Sequence, residues 1–118
     1  MEILVVDDNK EICELIENIL LSEGYDVESC CNPLEFSSII KINKPKLIIT
    51  DLLMSGYDGR TLTKEIRGNP ETQHIKIIMM SAHPDAKKLS EIAGVDDFLT
   101  KPFEIDDLVS KVAFLMKK

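Results

Sequence analysis

Residues 1–9 read MEILVVDDN, and this stretch decides the fold class. Residues 3–6 (ILVV) are a short apolar run rich in β-branched side chains, and the run stops at two adjacent acids, Asp7 and Asp8. Apolar residues then recur at steps of three and four over 12–20, which is the spacing of one helix face. A short buried strand followed by an amphipathic helix predicts the first βα unit of a sheet.

The same unit repeats along the rest of the chain. Further strands are predicted at 26–30, 47–50, 75–80 and 97–100. Helices are predicted after each of them, with the second opened by Asn32-Pro33 and the others near 60–67, 85–94 and 105–116. Short apolar strands that alternate with amphipathic helices are typical of a parallel sheet covered on both faces. The right-handed crossover rule favours a doubly wound, five-stranded α/β sheet, which is a three-layer sandwich.

Composition narrows the class of function. The 118 residues are the size of one domain, and 44% apolar with 30% charged residues is an ordinary globular composition. A net charge of −7 argues against nucleic acid or an anionic membrane surface as partner. The three cysteines form no CxxC pair, so neither a zinc site nor a disulfide framework is implied, and a reducing cytoplasm is the expected compartment. The adjacent Cys30 and Cys31 are expected to be a buried apolar pair, and no targeting segment or membrane span is expected.

Polar residues stand where the predicted strands end. They are Asp7, Asp8, Asp51, Ser81 and Lys101. In doubly wound sheets the ligand site lies beyond the carboxyl ends of the strands, so these side chains should converge. Clustered carboxylates repel one another, and Mg²⁺ (or Mn²⁺) prefers carboxylates together with phosphate oxygens. A carboxylate nucleophile, a metal, a lysine and a hydroxyl are the parts that phosphoryl transfer needs.

The chain resembles the receiver domain of two-component response regulators, from ILVVDDN through LIITDLLM and IIMMSAH to GVDDFLTKPF. The resemblance implies a flavodoxin-like fold with strand order 2-1-3-4-5 and a single receiver domain over 1–118. It implies that Asp51 is the phosphoacceptor, and that Asp7, Asp8, Asp51 and the backbone carbonyl of Leu53 hold the metal. Ser81 and Lys101 then contact the phosphoryl group, Ser81 and Phe98 act as the switch, and the Lys101-Pro102 bond is cis.

The resemblance also implies partners. A histidine kinase or histidine phosphotransfer protein supplies the phosphoryl group, and the domain catalyses its own phosphorylation and dephosphorylation. The output surface is expected over 85–117, facing an unidentified downstream protein, in a monomer or a phosphorylation-dependent dimer. The chain is either a stand-alone regulator or part of a larger protein. It departs from the family pattern at Ser55, where proline is common, and Leu53 and His83 flank the phosphoryl site at positions that vary.

Three other functions fit these residues less well. A flavin mononucleotide carrier needs a glycine- and hydroxyl-rich loop after the first strand, but DDNKEI would repel a phosphate unless a metal intervened. An aspartyl-phosphate hydrolase needs a general acid two residues after Asp51, and Leu53 cannot transfer a proton. A module that binds partners without phosphate would not need Asp8, Asp51 and Lys101 together.

Overall fold

A computed structural model describes residues 1–54, 56–82, 88 and 94–117. The strands are β1 (Ile3–Val6), β2 (Val27–Cys30), β3 (Leu47–Asp51), β4 (Leu53–Met54), β5 (Tyr57–Asp58), β6 (Lys76–Ser81) and β7 (Asp97–Thr100). Within the described part, the α-helices are α1 (Lys10–Ser22), α2 (Phe36–Asn43), α3 (Gly59–Arg67) and α4 (Ile105–Met116).

The main sheet confirms the predicted topology. Its five strands lie in the order β2-β1-β3-β6-β7, and every neighbouring pair is parallel. Because β6 and β7 are the fourth and fifth strands of this sheet along the chain, the order is the predicted 2-1-3-4-5. The short antiparallel pair of β4 and β5 was expected to be a loop, and it forms where the chain turns at Gly56.

Helices cover both faces of the sheet. Alternate residues of β1 point to opposite sides, so Ile3 and Val5 pack with α1 and α4, whereas Leu4 and Val6 pack with α2 and α3. All four of these residues are fully buried. The result is the predicted three-layer α/β sandwich, and among the described residues no helix combines the length and the apolar character that a membrane span requires.

Helix starts follow from side-chain caps. Asn9 accepts hydrogen bonds from the backbone N–H of Glu11 at 2.9 Å and of Ile12 at 3.3 Å, so Asn9 caps α1 and Asp8 does not. Asn32 caps the next segment, but its first turn, Pro33–Glu35, is a 3₁₀ turn that precedes α2. The expectation that proline directly opens an α-helix was therefore wrong by one turn.

Two further outcomes concern single segments. Cys30 is buried but Cys31 is exposed, because Cys31 lies beyond the last residue of β2, so the expected buried pair was wrong for Cys31. The helix expected near 85–94, together with Ser55 and His83, lies outside the described residues apart from Lys88 and Gly94.

Arg67, the last residue of α3, anchors the chain that leads into β7. Its guanidinium donates to the backbone carbonyls of Gln73 at 2.8 Å, Ile75 at 2.6 Å and Gly94 at 3.1 Å. It also pairs with the Asp96 carboxylate at 2.8 Å. Arg67 therefore fixes the segment that leads into β7. These contacts lie at the end of the sheet opposite to the strand-end acids.

Candidate functional site

The carboxyl ends of four strands meet at one edge of the sheet. Asp7 directly follows β1, Asp51 ends β3, Ser81 ends β6 and Lys101 directly follows β7. Backbone hydrogen bonds continue the sheet past these ends, from the N–H of Leu52 to the Met80 carbonyl at 2.8 Å and from the N–H of Lys101 to the Ser81 carbonyl at 3.1 Å. The rigid sheet thus holds the predicted residues at one edge.

Three acidic residues at this edge form a cluster, which is called the acid cluster below. Carboxylate oxygens of Asp7, Asp8 and Asp51 all lie within 4.8 Å of one another. Asp7 is fully buried and Asp51 is 8% exposed, whereas Asp8 is exposed and opens the cluster to solvent. Hard divalent cations prefer this oxygen donor set, so the residues present fit Mg²⁺.

Lys101 is the cation that faces this cluster. Its Nζ lies 3.1 Å from Oδ2 of Asp7 and 3.2 Å from Oδ1 of Asp51. Burial alone would lower the pKa of Lys101, but the charges of Asp51 and Asp7 outweigh burial and raise the pKa, so the ammonium stays protonated. One lysine cannot neutralise three carboxylates, and the remaining negative charge favours a divalent cation.

Burial in the fold opposes the negative charge of Asp51. Burial raises the pKa of Asp51 and the neighbouring Asp7 raises it further, while Lys101 acts in the opposite direction and does not fully compensate. Asp7 is held differently, since its Oδ1 accepts the backbone N–H of Asn9 at 2.9 Å. The two buried carboxylates therefore have distinct environments.

Gly59, the first residue of α3, packs directly against the backbone of Asp51 and lies one residue before the predicted start of that helix. A Cβ on Gly59 would collide with the backbone carbonyl oxygen of Asp51, and the Gly59 N–H donates to the Leu52 carbonyl at 2.7 Å. Asp58 caps α3 by accepting the N–H of Arg60 at 2.8 Å. In the sequence, only the adjacent Asp58 and Gly59 point to this turn. The need for glycine comes from a close backbone approach that residue spacing does not reveal.

The remaining predicted residues are placed as follows. Ser81 is 5% exposed, and Phe98 is half-buried against Leu52 and Met79. Leu53 is 55% exposed, in the β4 strand that follows Asp51. The Lys101-Pro102 peptide bond is cis, as predicted. The structure thus brings the predicted polar side chains to one edge, and the chemical role of each stays a prediction.

Comparison with known proteins decides the family, since the family model "Response regulator receiver domain" matches residues 3–113. The chain belongs to the response regulator receiver domain family. A structure assigned as a response regulator of Chloroflexus aurantiacus is 34% identical to this receiver domain with a TM-score of 0.93, covering 99% of this chain and 98% of that one. The receiver domain of a signal transduction histidine kinase from Syntrophus aciditrophicus is also 34% identical, with a TM-score of 0.89, covering 98% and 89%.

A curated relative adds the context of a longer protein. The DNA-binding dual master transcriptional regulator RpaA of Synechocystis sp. is 30% identical over 118 residues, which are 98% of this chain and 49% of the relative. This receiver domain therefore spans about half the length of that relative. Receiver domains of two-component systems bind Mg²⁺ and interact with histidine kinases or phosphotransfer proteins, and the acid cluster of Asp7, Asp8 and Asp51 agrees with that metal.

Proposed function

We propose that this receiver domain accepts a phosphoryl group on Asp51 from a histidine kinase or a histidine phosphotransfer protein. The observation that carries the proposal is the position of Asp51, at the end of the central strand β3, within the acid cluster and 3.2 Å from the Lys101 ammonium. Asp7 is fully buried and hydrogen-bonded, which leaves Asp51 as the better nucleophile of the two buried acids. Asp51 is the sole phosphorylation site in this proposal.

The chain's own groups account for the transfer. An Oδ atom of Asp51 attacks phosphorus, the new O–P bond forms, and the N–P bond of the donor phosphohistidine breaks. Lys101 and the Ser81 hydroxyl would bind oxygens of the transferred group as charge-assisted donors. Asp7, Asp8, Asp51 and the Leu53 carbonyl would hold Mg²⁺ (or Mn²⁺), which supplies positive charge for the phosphoryl oxygens when bound. The same residues would support hydrolysis of the aspartyl phosphate, so the domain catalyses both reactions on itself.

The output would run from the site to the last strand. A phosphoryl group adds negative charge beside Ser81 and Lys101, and drawing Ser81 towards it opens space behind that residue. Phe98 has no polar atom to leave unsatisfied, so it can move inward against Leu52 and Met79, where it already packs in part. Phosphorylation would then shift a population between two packed states and change the surface over 85–117, part of which lies outside the described residues.

Three broader expectations belong to the same proposal. The 118 residues act as one receiver unit, either alone or within a larger protein, in the cytoplasm. The net charge of −7 disfavours nucleic acid and anionic membranes as direct partners of this unit. Its target is a protein, and the unit is a monomer or a phosphorylation-dependent dimer.

Intact mass spectrometry tests the phosphoacceptor. Wild-type protein incubated with acetyl phosphate and Mg²⁺ should gain one phosphoryl group, and Asp51→Asn should gain none while keeping its circular dichroism spectrum. Glu14→Gln removes an exposed carboxylate of α1 and should behave as wild type. If Asp51→Asn gains the same mass at the same rate, Asp51 is not the acceptor.

Amide NMR tests the output surface. Adding beryllofluoride, a phosphoryl mimic, should move signals at the strand-end loops and from Ser81 to α4. The α2 helix lies beside the opposite edge strand of the sheet, so its signals serve as the internal reference. Shifts concentrated on α2 with none near Phe98 would contradict the proposed route.

A further inference from the structure

One hydrogen bond sets the register of α1 against β2. The Ser29 hydroxyl donates to Oε1 of Glu17 at 2.9 Å. The helix α1 and the strand β2 run in opposite directions. A step of four residues back along α1 from Glu17 therefore covers nearly the same distance, in the same direction, as a step of two residues forward from Ser29. Those steps are about 6 Å along a helix and about 6.6 Å along a strand, and each returns to the same face. They end at Cys13 and Cys31, which the register therefore places side by side.

Two further observations agree with this placement. The Cys13 thiol donates to the backbone carbonyl of Asp7 at 3.2 Å, and the Asp7 N–H donates to the Cys30 carbonyl at 3.3 Å, so Asp7 joins both segments. Burial raises the pKa of the Cys13 thiol, and interaction with the Cys31 thiol raises it further.

Cys30 is directed to the other side of the sheet. It packs in the cluster of Phe36 and Ile40 under α2, and its thiol donates to the Asn32 carbonyl at 2.9 Å. Cys13 instead packs on the α1 side with Val27, which shares a strand face with Ser29. Cys31 directly follows β2 and is the next position in that alternation. Of the two adjacent cysteines, only Cys31 faces Cys13.

We propose that Cys13 and Cys31 form a reversible intramolecular disulfide when hydrogen peroxide reaches Cys31. Cys31 is exposed and Cys13 has 0% exposure, so the oxidant meets Cys31 first. The Cys31 sulfur bonds to one peroxide oxygen, the O–O bond breaks, and water leaves, giving a sulfenic acid. The Cys13 sulfur then bonds to the Cys31 sulfur, the S–O bond breaks, and the departing hydroxide takes the Cys13 proton as water. Two thiols and one hydrogen peroxide thus yield one disulfide and two waters.

The disulfide would lie beside the acid cluster. It removes the thiol proton that Cys13 donates to the Asp7 carbonyl, and it ties the first turns of α1 to the segment after β2. A thiol reductant reverses both changes by exchange. The modification is independent of phosphorylation, so its test does not depend on the acceptor proposed above.

Peptide mapping of the full chain tests the disulfide. Reduced protein is treated with hydrogen peroxide, remaining thiols are blocked with N-ethylmaleimide, and the chain is cleaved after glutamate without reduction. Trypsin is unsuitable because no lysine or arginine lies between residues 11 and 40, so it would leave the three cysteines in one peptide. Cleavage after glutamate places Cys13 in the peptide 12–14 and both Cys30 and Cys31 in the peptide 29–35, so a disulfide from Cys13 to either cysteine joins these two peptides.

Matched variants identify the sulfur atoms. Cys30→Ser keeps a donor for the Asn32 carbonyl, and it should give the linked peptides in the same yield as wild type. Cys31→Ser, at an exposed position, should lower that yield at least tenfold and leave Cys13 unoxidised. Dithiothreitol should release the two peptides. A Cys30–Cys31 bond, a link between two chains, oxidation of Cys31 to a sulfinic acid without a link, or no reaction at all would each overturn the proposal.

Discussion

Replacing Asp51 by asparagine should stabilise the metal-free protein at neutral pH. The side chain keeps its size and loses the charge that burial and Asp7 oppose. Lys101 retains its 3.1 Å contact with Asp7, so the lysine does not become an unpaired buried cation. Each unit by which the pKa of a carboxyl is raised on folding costs about 1.4 kcal/mol once that carboxyl is ionised, so removing the charge should raise the free energy of unfolding in that proportion.

The pH dependence has a definite sign. Because folding raises the pKa of Asp51, the native protein binds this proton more readily than the unfolded chain does. Wild-type stability contributed by this group is therefore full below about pH 4 and is lost as the pH rises through the raised native pKa. Asp51→Asn has no such loss, so the difference between the two proteins should shrink as the pH falls to about 4.

Urea denaturation measures the difference. Unfolding free energies are compared at pH 7 in EDTA and in Mg²⁺, with Glu14→Gln as a control that removes one exposed carboxylate. Mg²⁺ at 100 times its dissociation constant adds about 2.7 kcal/mol to wild type by mass action and less to Asp51→Asn, which reverses their order. Equal or lower stability of Asp51→Asn at pH 7 in EDTA would refute the assignment of Asp51 as a charge that the fold opposes.

Gly59→Ala should lower the free energy of unfolding by about 1–3 kcal/mol in thermal denaturation, because its Cβ meets backbone that cannot rotate away. Thr61→Ala, on the surface of α3, is the control and should leave the stability unchanged. An unchanged melting temperature for Gly59→Ala would contradict the close approach. Arg67→Met should cost about 2–3 kcal/mol in urea denaturation, since it removes the donor to the Gln73 and Ile75 carbonyls and the cation that pairs with Asp96. Lys64→Met, exposed on the same helix, is its control, and equal losses in both variants would argue against the anchor. Asp8→Asn should lose most of the rise in melting temperature that millimolar Mg²⁺ gives wild type, and Asp106→Asn should keep it; the same rise in Asp8→Asn would remove Asp8 from the metal site.

The strands and the strand-end residues could be read from the sequence because their signals are local. The strands β1, β3 and β6 are short apolar runs that stop at polar residues, and parallel strands must bring their ends together. Asp7, Asp51 and Lys101 therefore appear at one edge, although Lys101 is 94 residues from Asp7.

What the sequence did not reveal depends on distances between segments. The need for glycine at 59 comes from the Asp51 carbonyl, and the exposure of Cys31 comes from the end of β2 one residue earlier. The Arg67 anchor joins α3 to chain that is up to 29 residues away, with no periodic pattern to announce it. Such contacts follow from how finished elements pack, so propensity and spacing alone do not predict them.

The position of Lys101, directly after the last strand, has a consequence for the order of folding. β1 and β3 bring Asp7 and Asp51 together early along the chain, but their neutralising ammonium arrives only when β7 docks. Closing a contact between residues 94 apart in sequence carries a large loop-closure entropy, which favours its late formation. A nascent chain that ends before β7 would hold two buried carboxylates without their cation. Completion of the strand-end site and completion of the domain therefore coincide, and substitutions at Lys101 should accelerate unfolding more than they slow folding.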